Sequence, residues 1–236
     1  MKKRFITLLA MALISTTTTI SCDVKDDLDN NILPSNNNST ANTEVSIADA
    51  AKTFSQEQID MANTAKNASY LTDEEKLVIQ YCNLARIDGK AFADAFLADL
   101  KTSDNNYEKS LIDTLLSIKN LTLLMPNEQL CKAAESHAND IGPKGERGHN
   151  STDGTSFADR VRSFYSGNAI AENISYGYND ALKIVRQLLI DKGVESLGHR
   201  KNILCDKYCR IGVAIRYHKE YNNCCVQDFS DSNGDK

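Results

Sequence analysis

Arg210-Ile-Gly-Val-Ala-Ile-Arg-Tyr217 decides the fold class, because its apolar residues alternate in the period of a half-covered strand. Asn223 to Phe229 follows with Val226 and Phe229 apolar, and His218-Lys-Glu-Tyr-Asn222 is the turn that joins the two as a hairpin. Ala169 to Tyr176 is a third strand candidate. Everything earlier reads as helix. Thr72-Asp-Glu-Glu75 has the form of a capping box, with Glu75 placed to reach back to the Thr72 amide. Leu77, Val78, Tyr81, Cys82, Leu84 and Ala85 continue as an apolar stripe to about Arg86. Further helices are predicted at Lys90 to Leu100, Lys109 to Ile118, Asn127 to Ile141, Ser156 to Phe164 and Asp180 to Leu189. Helices early and a small antiparallel sheet late make the body α+β.

The chain has 236 residues, 41% of them apolar, so it can bury a core. Its 27 Lys and Arg stand against 32 Asp and Glu, and no basic run follows the first four residues. That balance excludes a nucleic-acid partner held through phosphates. Its longest apolar stretch, Phe5 to Ile14, is far short of the roughly 20 residues needed to span a bilayer. Lys2, Lys3 and Arg4 ahead of that stretch, with small and hydroxyl residues behind it, give the layout of a secretory signal. Thr19-Ile20-Ser21-Cys22 resembles a bacterial lipobox, with Thr19 in place of the usual Leu, so residues 1–21 read as a lipoprotein signal peptide and Cys22 as the lipidated residue. Cleavage there leaves a chain of net charge −8, which anionic headgroups repel, so membrane attachment would come from the lipid chains alone. The acidic start Cys22-Asp-Val-Lys-Asp-Asp27 resembles a signal for the cell surface. Residues 22–70 read as a polar tether, with helical spacing of apolar residues between Ile47 and Lys66, and residues 71–236 as the folded domain.

Six cysteines remain beyond Cys22: Cys82, Cys131, Cys205, Cys209, Cys224 and Cys225. An even number in an exported chain suggests disulfides, with Cys205 and Cys209 the nearest partners for Cys224 and Cys225. A zinc site from the same four is the alternative, and Cys82 and Cys131 read equally well as plain buried thiols. Two of the four histidines follow glycine, in Gly148-His149-Asn150-Ser151 and Ser196-Leu-Gly-His199-Arg-Lys-Asn-Ile-Leu204. A preceding glycine lets an imidazole project from a turn, which suits a cleft. Between them, Ala171-Glu172-Asn173-Ile174 sets a carboxylate in an apolar run, which is costly unless it is paired. Leu188-Leu-Ile-Asp191-Lys-Gly-Val-Glu195 supplies two more acids just before His199. Two neutral imidazoles could bind a divalent metal while carboxylates orient their ring N–H groups. His137 reads as structural and His218 as a solvated turn residue.

Gly148-His149, Ala171-Glu172-Asn173-Ile174, Gly198-His199-Arg200-Lys-Asn-Ile-Leu204 and Val226-Gln-Asp-Phe229 together resemble the CAP superfamily, also called SCP-like, in its bacterial branch. The likeness runs from about Thr72 to Ser230. It implies an α-β-α sandwich with a small antiparallel sheet between helical layers and a cleft lined by a His/acid tetrad that in some members holds zinc or another divalent ion. Carried across, His149 and His199 match the histidines and candidate metal ligands, and Glu172 the first acid. Asp191 stands where the family has Glu in Trp-x-x-Glu, with Glu195 as its rival. The shorter Asp would leave that acid out of direct reach, which counts against tight metal binding. The resemblance implies a non-enzymatic domain that binds a small molecule, a lipid or a protein, and the lipobox-like Thr19–Cys22 places it as a lipid-anchored envelope or surface protein. The alternatives are a metal-dependent hydrolase with Glu172 as general base, and an adhesin or envelope scaffold whose tetrad is only structural. Neither a His-Glu-x-x-His helix nor a Gly-x-Ser-x-Gly elbow is present, so the sequence supplies no third firm ligand and no activated serine.

Overall fold

The reciprocal cap expected at Thr72 forms. Its hydroxyl accepts from the Glu75 amide at 3.3 Å, and its own amide donates to the Glu75 carboxylate at 2.8 Å. The computed structural model describes residues 46–232 and 234, so the signal peptide, Cys22 and the first half of the tether lie outside the described residues. Eight α-helices are described: α1 (Gln56–Ala62), α2 (Asp73–Ile87), α3 (Gly89–Phe96), α4 (Asn106–Leu116), α5 (Glu128–Ile141), α6 (Phe157–Phe164), α7 (Ala181–Ile190) and α8 (Gly198–Ile203). The strands are β1 (Met125–Pro126), β2 (Ile170–Tyr176), β3 (Arg210–His218) and β4 (Asn222–Ser230), and they lie in the order β1-β3-β4-β2. Among the described residues no helix is long and apolar enough to cross a membrane.

The hairpin forms with Ile211 opposite Phe229 and Tyr217 opposite Asn223. β2 pairs antiparallel with the other edge of β4, and β1 pairs parallel with β3. β4 is therefore central, and its residues from Cys224 to Ser230 are all buried. Strand alternation divides them between two helical layers. Cys224 and Val226 pack with Ala134, Ala138 and Ile141 of α5, while Cys225 and Phe229 join the larger core with Val78, Ile79 and Cys82 of α2 and Val185 of α7. Phe157 and Val161 of α6 complete the α5 layer against Ile170. The result is the expected α-β-α sandwich, with a β1 of only two residues that carries no sequence signal.

Residues 47–66, read as a short helix or part of the tether, form a 3-10 turn (Ile47–Lys52) and α1. Ala50, Phe54, Ala62 and Ala65 pack into the main core with Ile47 against it, so the folded body reaches back at least to Ile47. Buried Asn83 fastens this segment, donating to the carbonyls of Ala62 and Leu124 and accepting from the Leu124 amide at 2.8 Å. Arg86, fully buried, donates to the carbonyls of Thr122, Ile203, Cys205 and Tyr208 and so ties α2 to the chain leaving α8.

The expected disulfides are not formed: all six described cysteines are free thiols. Register explains why Cys205 and Cys209 do not reach Cys224 and Cys225. Arg210 pairs with Ser230 and Arg216 with Cys224, so the two cysteine pairs sit at opposite ends of β3. Six strand residues separate them by roughly 20 Å, against the 4.4–6.8 Å between Cα atoms that a disulfide needs. The same separation removes the four-cysteine zinc site, and Cys82 and Cys131 are the buried thiols of the alternative reading.

Gly212 marks a close contact between layers. A Cβ built there would lie 2.2 Å from the Leu130 carbonyl carbon and 2.4 Å from the Cys131 amide nitrogen, both α5 backbone that cannot step aside. Gly212→Ala is therefore expected to push α5 off the sheet and lower unfolding stability by about 3 kcal/mol, measured by urea denaturation.

Candidate functional site

His149 leaves a loop whose backbone is clamped at three points. The Gly148 amide donates to the Tyr176 hydroxyl at 3.2 Å, the Gly148 carbonyl meets His137 Nε2 at 2.9 Å, and the His149 carbonyl accepts from Arg160 at 2.6 Å. Gly148 has φ of 102° with open space around it, so glycine is required there for conformation and not for room. From this loop the His149 Nδ1 bonds Glu172 Oε1 at 2.8 Å. Arg160 donates from its other terminal nitrogen to Glu172 Oε2. The carboxylate is buried, whereas the His149 side chain keeps 20% of its surface exposed.

The second pair is built from helix ends. Asp191 caps α7 in the left-handed conformation, φ 59°, and α8 opens after Leu197, also left-handed. His199 Nδ1 bonds Asp191 Oδ1 at 2.7 Å, and the Arg200 amide donates to Asp191 Oδ2 at 3.1 Å. The left-handed cap turns Asp191 toward α8, and the shorter side chain still reaches the His199 ring. The rival Glu195 is exposed and lines a shallow groove with Asn106, Tyr107, Ser110 and Leu197. Arg200 locks the junction by donating to the carbonyls of Leu189, Ile190 and Tyr107.

One strand joins the two pairs. Glu172 and Asn173 are adjacent on β2 and point to opposite faces. Asn173 donates to the His199 carbonyl at 3.2 Å and to Gln227, while Asn202 of α8 donates to Asn173 at 2.9 Å. The four candidate residues thus form two His–acid pairs, His149 with Glu172 and His199 with Asp191, tied to consecutive β2 positions. Among the described residues, no group of three or more His, Cys, Asp or Glu side chains is placed to hold a metal ion.

His218 is not the solvated turn residue its position suggested. It is fully buried because both ring nitrogens are used: Nε2 meets the Glu146 carbonyl at 2.9 Å, and Nδ1 accepts from the amides of Glu220 and Tyr221. His137 is buried as expected of a structural residue, and it also braces the His149 loop. Burial pushes its imidazole down, with Glu172 opposing and Arg160 reinforcing, so the ring is held neutral.

Two residues that sequence reasoning passed over complete the first pair. Arg160 shows only 4% of its surface and sits on α6 between Phe157 and Val161, where a helical stripe gives no sign of a buried cation. Asp228 lies directly across from Glu172 in the β2–β4 register. Its signal was present in Val226-Gln-Asp-Phe229, an acid among residues that alternate inward. Both oxygens of Asp228 are buried without a donor. Burial raises both carboxyls, but Arg160, then His149 and His137, pull Glu172 down to about 2. For Asp228, burial and the neighbouring Glu172 charge outweigh Arg160 and hold it well above the usual carboxylate range. Asp228 is therefore the protonated partner, and its hydroxyl is the donor that Glu172 can accept.

A family model described as the cysteine-rich secretory protein family matches residues 80–229. No curated protein matches. Among solved structures, an extracellular protein containing an SCP domain from Bacillus anthracis is 23% identical with a TM-score of 0.42, and the match covers 53% of this chain and 39% of that one. This chain thus spans about two fifths of the Bacillus protein. An outer surface protein from Borrelia burgdorferi is 21% identical with a TM-score of 0.41, covering 52% of this chain and 87% of that one. Venom allergen-like protein 4 from Schistosoma mansoni is 12% identical with a TM-score of 0.42, covering 70% and 96%.

Removing the one cation on Glu172 leaves a buried charge with an imidazole and a shared proton. Arg160→Ala is expected to cost roughly 3–5 kcal/mol of unfolding free energy by urea titration. Asp228 predicts a pH dependence. Its folded-state value lies above the ordinary 3.8, so the unfolded chain releases a proton that the folded chain keeps, and stability falls as pH rises from about 4 toward that value. Glu172 acts in the opposite sense, its contribution being present above 4.5 and lost as pH falls toward about 2. Asp228→Asn, which keeps a donor for Glu172, is expected to gain on the parent chain as pH rises in thermal unfolding from about pH 5 to 9 while leaving the acid limb unchanged.

Proposed function

The chain belongs to the cysteine-rich secretory protein (CAP) family, and from that membership we propose that it is an exported, lipid-anchored binding domain that meets its ligand through the rings of His149 and His199. One observation carries the reading: each ring is fixed through Nδ1 by its own buried carboxylate, while about a fifth of each side chain stays open to solvent. A histidine that served only the core would be enclosed, as His137 and His218 are. Export and anchoring rest on the sequence of residues 1–22, with Cys22 as the lipidated residue. The ligand classes that fit such a domain are a small molecule, a lipid or a protein surface.

Zinc or another divalent ion is the cofactor that the family implies, and the donor set meets only part of its needs. Nδ1-to-carboxylate bonding is how ligating imidazoles are oriented for attachment through Nε2. Zinc sites, however, use three or four protein ligands, and the described residues provide two imidazoles without a third donor. The residues therefore do not fit a tightly held catalytic metal. This favours binding over hydrolysis, which would need Glu172 as a free base. Glu172 is instead bonded to Arg160 and His149.

Zinc alone serves as a calorimetric probe of the two rings in the chain freed of residues 1–21. Weak, saturable heat is expected, reduced at least about tenfold by His149→Ala and by His199→Ala in variants whose thermal unfolding shows an intact fold. Heat that neither substitution changes would make the pairs purely structural. In cells, Cys22→Ser is expected to move the chain from the membrane fraction to the soluble one, and a protein that stays in the membrane would refute the lipid anchor.

A further inference from the structure

Cys205 and Cys209 stand apart from the other described thiols. Cys82, Cys131, Cys224 and Cys225 are buried, and burial pushes Cys82 and Cys131 up to about 12 and Cys224 to about 11. Cys205 and Cys209 are only half-buried. They bracket the turn by which the chain leaves α8 and enters β3. The Tyr208 amide donates to the Cys205 carbonyl at 3.2 Å, which closes a reverse turn over residues 205–208. Such a turn brings its first and fourth Cα atoms within about 7 Å, and Cys209 follows immediately.

Both flanks of that turn are anchored. Arg86 donates to the carbonyls of Cys205 at 3.0 Å and Tyr208 at 2.9 Å. The Cys209 amide donates to the Ser230 carbonyl at 2.9 Å, and its carbonyl accepts from the Met125 amide at 3.0 Å. The guanidinium of Arg86 is within electrostatic reach of both thiols. The other four cysteines are closed off, Cys224 and Cys225 by the length of β3, so each accessible thiol has the other as its partner.

We propose that Cys205 and Cys209 form a redox-active dithiol that closes to an intrachain disulfide on meeting a small-molecule disulfide such as oxidised glutathione. One cysteine thiolate attacks a glutathione sulfur, forming a mixed disulfide and expelling one glutathione thiolate. The second cysteine thiolate attacks the protein sulfur of that mixed disulfide, forming the 205–209 bond and expelling the second glutathione. The protein loses two electrons, oxidised glutathione gains them, and the two thiol protons pass to the departing thiolates. The bond would close directly behind α8, the helix that carries His199, so oxidation would brace the second His–acid pair. The cellular oxidant rests on the export proposed above, whereas the thiol chemistry is independent of it.

The chain freed of residues 1–21 is equilibrated with oxidised glutathione, alkylated with iodoacetamide and digested with trypsin without reduction. Cleavage at Lys201, Lys207 and Arg210 puts the two cysteines on separate peptides, Asn202–Lys207 and Tyr208–Arg210. The expected product is those two peptides joined and two hydrogens lighter than their sum, separating on reduction. Cys205→Ser should leave glutathione on Cys209, and Cys209→Ser should leave it on Cys205. Before oxidation, both should alkylate at least about tenfold faster than the four buried thiols. Both peptides alkylated after oxidation of the folded parent chain, or either cysteine linked to another cysteine, would overturn the proposal. Loss of zinc heat in the histidine variants bears on the binding site alone and leaves this result unaffected.

Discussion

The first half of the site follows from a single constraint: the β2–β4 register places two carboxyl groups, Glu172 and Asp228, opposite each other in a space closed to water. Two adjacent negative charges cannot both persist there. Asp228 keeps its proton, and Glu172, which stays charged, gathers compensation from Arg160 on α6 and His149 on the preceding loop. Helix α6 must therefore pack with Arg160 inward, and Phe157 and Val161 on the same helix supply the apolar burial that makes this tolerable. The loop must also bring His149 down to the sheet, which its clamps on Gly148 achieve.

The other half depends on the same strand through its opposite face. Because side chains alternate along β2, Asn173 turns away from Glu172 and grips α8, holding the His199 carbonyl and Asn202. Gln227, paired with Asn173 across the strands, extends this neutral amide ladder on β4 toward Cys82 of α2. One face of the β2–β4 ladder thus carries charge and a proton, and the other carries uncharged amides. The difference matters for mechanics: the amide face is satisfied at any protonation state, whereas the carboxyl face changes with pH. The backbone of His199 is accordingly held by the amide face and its ring by Asp191, whereas His149 depends on Glu172 on the carboxyl face.

The sequence made most of this legible where a local rule was sufficient. Thr72 and Glu75 announced α2 by their capping chemistry, and the alternation from Arg210 to Tyr217 announced the hairpin. Glu172 stood out because an acid in an apolar run needs partners. What could not be read locally were relations set by register and backbone handedness. No residue pattern states that Cys209 and Cys224 fall at opposite ends of β3, and the disulfide and zinc expectations failed for that reason. The reach of Asp191 depends on a left-handed cap at a non-glycine residue, which composition does not advertise. Arg160 hid in an ordinary amphipathic helix, and Asp228 was visible as a motif residue whose partner only the β2–β4 pairing reveals.

The way each acid is used bears on what the site can do. Glu172 gives one oxygen to His149 and the other to Arg160, and Asp191 gives one to His199 and the other to the Arg200 amide. Each of the four carboxylate oxygens thus already accepts a hydrogen bond that orients a ring or holds a neighbouring element. Losing the Arg160 bond would leave Glu172 a buried charge without its guanidinium, at a cost of several kcal/mol. The acids therefore orient the imidazoles, and the outer edges of the rings stay open to solvent. Two oriented, partly exposed rings with no third donor among the described residues are suited to contact and weak coordination.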